Sequence, residues 1–169
     1  MPPSREAAIE NRLWSLDEVM SRSDLRALQL RRLRETVERA IRVPHYRDAL
    51  QKIGITPADI RSLDDLRRLP LTTKEDLRQN YPFGMFAVPR SELARVHCST
   101  GTTGRPTVVG YTAEDIDTWA NLCARFLVAG GLKPEHLVHV AFGYGLFTGG
   151  FGLHYGIDKV GASLVPASS

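Results

Sequence analysis

Apolar positions along the chain change their spacing near residue 90, and the change divides the predicted structure. In the first segment Leu30, Leu33, Val37 and Ile41 recur every three or four residues. That spacing predicts a helix that starts at Ser23 or Asp24, buries one face and stops at Pro44. Shorter amphipathic pieces surround it. Ser15 and Glu18 fit a capping box ahead of Val19 and Met20. A turn from His45 and Tyr46 runs to Gly54, and Thr56-Pro57-Ala58-Asp59 has the composition of a helix start. Asp64, Leu66 and Leu69 lead to Pro70, and Thr72 or Thr73 caps Lys74 to Arg78. Such short helices need tertiary support to be stable.

The second segment alternates strand and helix patterns. Ala94–Cys98 and Val108–Tyr111 read as two strands flanking a polar loop, hence a hairpin. Thr112 to Asp115 match a capping box opening a helix through Trp119, Leu122, Phe126 and Leu127, which Gly130-Gly131 end. Leu137 to Phe142 predicts a buried strand, with His136 and His139 near its start. A glycine-rich turn follows, then a helix from Phe151 to Val160 closed by Gly161, and a strand over Ala162 to Pro166. Strand, helix and strand in that order require a crossover and so a parallel pair. The expected fold class is α/β: a helical segment over residues 1–90, then an incomplete α/β portion over 91–169.

Composition sharpens this division. Of the 14 glycines, 12 lie at or after Gly101, as do eight of the 13 aromatic residues, so tight turns and ring-lined surfaces belong to the second segment. The net charge is +3, and the first 96 residues carry 18 Lys or Arg against 14 Asp or Glu. These charges are interleaved on helical faces, which fits a solvated surface and not a nucleic-acid patch. No run approaches the roughly 18 apolar residues of a membrane span. Met1 to Arg5 lead into charged sequence without an apolar core, so no secretory signal is expected. Cys98 and Cys123 lack CxxC or metal-ligand spacing and read as two reduced thiols of a cytoplasmic protein.

Two loops carry candidate chemistry. Ser99-Thr100-Gly101-Thr102-Thr103-Gly104-Arg105 combines four hydroxyls, two glycines and a cation. Glycine lets backbone N–H groups approach a ligand, and hydroxyls and guanidinium add donors for oxyanions, so the loop suits phosphate. A solvated turn has a similar composition for local reasons. A Walker loop does not fit: Pro106 stands five residues after Gly101, no Lys follows, and a strand comes next in place of a helix.

The second loop, Gly143-Tyr144-Gly145-Leu146-Phe147-Thr148-Gly149-Gly150, lies between a predicted strand and a predicted helix. A dinucleotide fingerprint would need glycine at Thr148 and an acid near Ser163, and neither is present. The competing readings are a tight crossover with core aromatics, or a ligand site. Phe142, Tyr144, Phe147, Phe151 and Tyr155 cluster at the C-terminal edge of a parallel strand, where open α/β sheets bind ligands.

The run STGTTGRPTVVGYT closely resembles the ATP-phosphate loop of the adenylate-forming acyl-CoA synthetases, and its TVVGYT tail resembles the phenylacetate–CoA ligase branch. Arg105 stands where many members carry Lys. AFGYGLFTGGFGLHYGIDKVGA resembles the acyl-pocket region of that branch, and TTKEDLRQNYPFGMFAVP its pre-loop region. The resemblance implies that residues 99–105 hold the phosphates of ATP. It also implies that Phe142 and Phe147 contact the ring of an aryl acid, with Tyr144 and the Gly149-Gly150 backbone as secondary contacts.

Those enzymes form an acyl-adenylate from acid and ATP with Mg2+, then pass the acyl group to CoA. The resemblance also implies that this chain is an N-terminal fragment, inactive alone. The magnesium ligand, the adenine contacts and the mobile lid with its catalytic lysine would lie elsewhere. Lys133 and Lys159 match no family motif, so no catalytic residue is assigned here. The implied partner is a small aryl acid, with no nucleic acid or membrane, and a homodimer is left open. The alternative from another class is a noncatalytic binding or interaction module retaining the nucleotide-binding fold.

Overall fold

A computed structural model describes residues 5–10, 12–99 and 104–168. The chain forms two compact units, one of Met1–Val19, Ala94–Thr100 and Tyr111–Ser169, the other of Met20–Leu93 and Gly101–Gly110.

The second of these units is built on helix α2 (Arg22–Ala40), followed by α3 (Pro44–Lys52) and α4 (Lys74–Gln79). For reference in chain order, α1 (Arg5–Glu10) precedes them and belongs to the other unit. The apolar stripe behaves as its spacing predicts. Val37, Leu50, Ile55 and Ile60 form a buried core, with Leu30, Leu33, Ile41 and Leu69 packed on it. The start of α2 lies slightly earlier than predicted, because Ser21 is the cap: its hydroxyl accepts from the Asp24 N–H at 3.1 Å. Pro44 both ends the preceding pattern and opens α3 as its first residue, where its missing N–H is harmless.

Three short helical turns in this unit share one device. Asp59, Asp65 and Asp76 each reach back three residues to the backbone N–H of Thr56, Ser62 and Thr73, at 2.9, 2.8 and 2.7 Å. These are capping boxes, and they explain how such short turns persist. The hydroxyl and N–H of Thr56 hold the Asp59 carboxyl below its usual range, and those of Thr73 do the same for Asp76. The Ser62 N–H, with Arg68, lowers Asp65 further. Groups whose folded-state pKa is depressed stabilise above the unfolded value of about 3.9 and lose that contribution as pH falls through the folded value. Thermal unfolding followed by circular dichroism is therefore expected to show a midpoint that drops below about pH 4. A triple variant Asp59→Asn, Asp65→Asn, Asp76→Asn should show a shallower drop.

The other unit holds strand β1 (Arg95–Cys98), helix α5 (Ala113–Ala129), strand β3 (Leu137–Val140), helix α6 (Gly149–Val160) and strand β4 (Ser163–Pro166). Strand β2 (Val108–Tyr111) ends in it at Tyr111. The Ala94 N–H donates to the Tyr111 carbonyl at 2.9 Å, which closes the base of the excursion that carries the polar loop. Thr112 and Asp115 cap α5 reciprocally, at 2.8 and 3.1 Å. Strands β3 and β4 pair in parallel, from Leu137 opposite Ser163 to Val140 opposite Pro166.

The strand expected over Leu137 to Phe142 is shorter and is not buried throughout. Leu137 is 71% exposed, whereas Val140 is buried. Within this unit helices cover only one face of the pair, so alternate side chains face water. The covered face packs Val140, Ile157 and Ala162 with Leu127, Leu132, Val138 and Leu153. Ile9 joins Ala124, Val128 and Val160 in a neighbouring cluster. Helices α5 and α6 approach closely, because Gly152 and Gly156 sit one turn apart on α6 and face Trp119 and Cys123 on α5.

Candidate functional site

The polar loop leaves β1 at Ser99 and returns at Gly104. Thr100, Gly101, Thr102 and Thr103, the centre of the expected phosphate site, lie outside the described residues. Gly104 has φ +136°, a backbone conformation that needs glycine, and Arg105 beside it is exposed. A Cβ built on Gly104 would come within 3.8 Å of the Arg78 guanidinium. Arg78, a half-buried side chain from α4, thus brings a second cation to this end of the loop. Sequence reasoning missed it, because Arg78 is 26 residues away in the chain.

The second loop meets the strand that leads into the first. The Leu146 carbonyl accepts two hydrogen bonds, from the Cys98 N–H at 3.3 Å and from His97 Nδ1 at 2.9 Å. The glycine-rich loop therefore lies against the last two residues of β1, immediately before Ser99. Gly149 and Gly150 fall in the first turn of α6, which begins two residues earlier than predicted. A Cβ on Gly150 would lie 2.8 Å from the Gly143 carbonyl oxygen, so the loop folds back tightly on the helix start. A Cβ on Gly149 would touch only the Phe142 ring, at 3.7 Å.

The five aromatic residues expected at this edge divide into two groups. Phe142 and Phe147 are 59% and 58% exposed, with rings open to a partner. Tyr144, Phe151 and Tyr155 are engaged. Tyr144 packs edge-on against Phe151 at 5.3 Å, and its hydroxyl bonds His154 Nδ1 at 3.1 Å. The Arg95 guanidinium lies over the rings of Phe151 and Tyr155, at 4.6 and 5.1 Å, and donates to the Tyr155 hydroxyl at 2.5 Å. His97 is buried among Tyr111, Trp119 and Phe151, with ring centroids 5.6 to 5.9 Å away.

Arg95 and His97 were not singled out from sequence. Their signal was the two-residue period of β1, which places both on one face. An open groove of about 340 Å³ between α5 and α6 is lined by Ile116, Asp117, Tyr155 and Lys159. It includes none of the expected acyl-site residues. Among the described residues, no group of three or more His, Cys, Asp or Glu gathers to hold a metal ion. Among them, too, no helix is long and apolar enough to cross a membrane.

Over 152 residues, 89% of its length, the chain is 58% identical to a phenylacetate–coenzyme A ligase of Aromatoleum evansii, covering 34% of that relative. The chain is a relative of the phenylacetate–coenzyme A ligases. An Escherichia coli K12 member is 54% identical over the same length, with 35% of it covered. The chain thus spans about a third of the length of the curated relatives it matches. No family model matches it. Its backbone superposes on a 2-hydroxyisobutyryl-CoA ligase, solved with 2-HIB-AMP and CoA in the thioesterification state, with a TM-score of 0.87 at 32% identity. That likeness covers all of this chain and 36% of the other. The α/β architecture is accordingly that of part of an adenylate-forming CoA ligase.

Proposed function

We propose that this chain supplies the phosphate loop and acyl-acid loop of an ATP-dependent aryl-acid–CoA ligase acting on phenylacetate. In that reaction the acid's carboxylate oxygen attacks the α-phosphorus of ATP and diphosphate leaves. The CoA thiol then attacks the acyl carbon of the adenylate, and AMP leaves. The backbone amides and hydroxyls of residues 99–105 would hold the β- and γ-phosphates, with Arg105 adding charge. Phe142 and Phe147 would flank the aryl ring, Tyr144 would close the inner wall, and the Gly149-Gly150 backbone would leave room for it.

The observation that carries this reading is the Leu146 carbonyl bound to both Cys98 and His97. It sets the ring-bearing loop beside the last two residues of β1, the strand that leads into Ser99, where the loop expected to bind phosphate begins. Magnesium accompanies ATP in such chemistry. No group of three or more His, Cys, Asp or Glu gathers among the described residues, and no step is assigned to the ion. A cytoplasmic location, and a homodimer using the uncovered face of the β3/β4 pair at Leu137 and Val165, belong to the same reading.

The test is exchange of labelled diphosphate into ATP by the ligase that carries this chain with the remaining length seen in its relatives. Exchange should depend on phenylacetate. Arg105→Met should raise the KM for ATP about 10- to 150-fold, a charged hydrogen bond being worth about 1.5–3 kcal/mol, and leave the KM for the acid within twofold. Exchange that does not depend on any aryl acid would refute the proposal.

A further inference from the structure

His97 is 3% exposed, the one buried polar or charged side chain among the described residues. Trp119 meets its ring edge-on at 90° and Tyr111 at 82°, so the cage is apolar. A carbonyl only accepts, so the nitrogen 2.9 Å from the Leu146 oxygen is the one that carries the proton. Nε2, also buried, has no hydrogen-bond partner among the described residues. An apolar ring would fill this space without leaving a polar atom unpaired, which costs about 1–3 kcal/mol. A histidine here is explained by what Nδ1 does.

What it holds is otherwise weakly held. Tyr144 anchors the start of the loop between β3 and α6 against Phe151 and His154, but Leu146 and Phe147 are 65% and 58% exposed, so side-chain burial does not fix the loop beyond Tyr144. The Cys98 N–H bond to the same oxygen is long, at 3.3 Å. Two residues beyond His97 the chain enters the loop expected to bind phosphate.

We infer that His97 is a positioning residue: through its Nδ1–H bond to the Leu146 carbonyl it fixes the loop that presents Phe147, and ties that loop to the strand feeding Ser99. This rests on the proposed aryl-acid reading for its effect on substrate, but not for its effect on the loop. An amide at the δ position of Asn can replace the Nδ1–H donor, whereas Phe keeps the ring and removes the donor. A role in filling the cage would rank Phe above Asn; a role in positioning ranks Asn above Phe.

The test has a part that needs no variant and no substrate. Long-range 15N–1H spectra of the wild-type chain should show His97 with its proton on Nδ1, and a proton on Nε2 alone would overturn the inference. Amide hydrogen exchange over Gly145 to Thr148 should quicken about tenfold in His97→Phe and by less than threefold in His97→Asn. In the complete ligase, His97→Phe should raise the KM for the aryl acid about tenfold more than His97→Asn does, with kcat changing less. Equal exchange and equal KM in the two variants, or Phe better than Asn, overturns the inference. If His97→Phe does not fold, the wild-type tautomer and the Asn variant's loop exchange decide alone. Normal loop effects without any aryl-acid activity would leave His97's role standing and refute the functional reading.

Discussion

Gly156→Ala is expected to lower the midpoint of thermal unfolding by about 4–8 °C. A Cβ at Gly156 would lie 2.6 Å from the Cys123 Cβ and 3.0 Å from the backbone nitrogen of Ala124. Those atoms belong to the body of α5 and cannot swing aside as a long side chain could. Overpacking of this kind costs up to about 3 kcal/mol. Alanine recovers about 1 kcal/mol through its higher helix propensity, so a net loss of about 2 kcal/mol remains. At about 2–4 °C per kcal/mol for a chain of this size, the shift follows.

Gly152→Ala meets the Trp119 indole at 2.6 Å. Trp119 is stacked on Tyr111 at 5.4 Å and edge-on to His97, so it too has little freedom. Gly149→Ala is the control. Its Cβ would make only an ordinary contact with Phe142, and the variant should melt at or slightly above the wild-type temperature. Scanning calorimetry of the three variants checks the series. A Gly156→Ala protein as stable as Gly149→Ala would contradict the close crossing of α5 and α6.

The same glycines show where sequence reasoning stopped short. The run FGLHYG reads as helix, and glycines near aromatics suggest room for a flat ring or close packing on a sheet. Which glycine serves which purpose depends on what the helix faces, and α5 lies about 30 residues earlier in the chain. Short-range features were legible: the stripe from Leu30 to Ile41, the caps at Thr73 and Thr112, and the parallel pairing of β3 with β4. Burial of β3 was not, because a strand's second face is covered or bare according to neighbours that its own residues do not specify. Arg78 and His97 were missed for a related reason. Each acquires its place only when a distant segment, Gly104 or Leu146, folds beside it.

Phe142 and Phe147 give the sharpest functional prediction, because their exposure separates a role in binding from a role in folding. Each ring leaves more than half of its surface in water, so truncation to Ala should change the unfolding midpoint by no more than about 2 °C, as for substitutions outside the core. If an aryl acid sits between them, each ring would cover about 60 Å² of apolar surface, about 1.5 kcal/mol at 25 cal/mol per Å². Edge or offset geometry between aromatic rings adds about 0.5–1.5 kcal/mol. Together these predict a rise of about 30- to 150-fold in the KM for phenylacetate in Phe142→Ala or Phe147→Ala. The KM for ATP should stay within twofold. Phe151→Ala supplies the contrast: its ring packs against Tyr144, His97 and the Arg95 guanidinium, so its loss should destabilise the fold by about 3 kcal/mol. Steady-state kinetics on the complete ligase, paired with melting curves, separates the two patterns. Unchanged acid KM in both exposed-ring variants would place the aryl acid elsewhere.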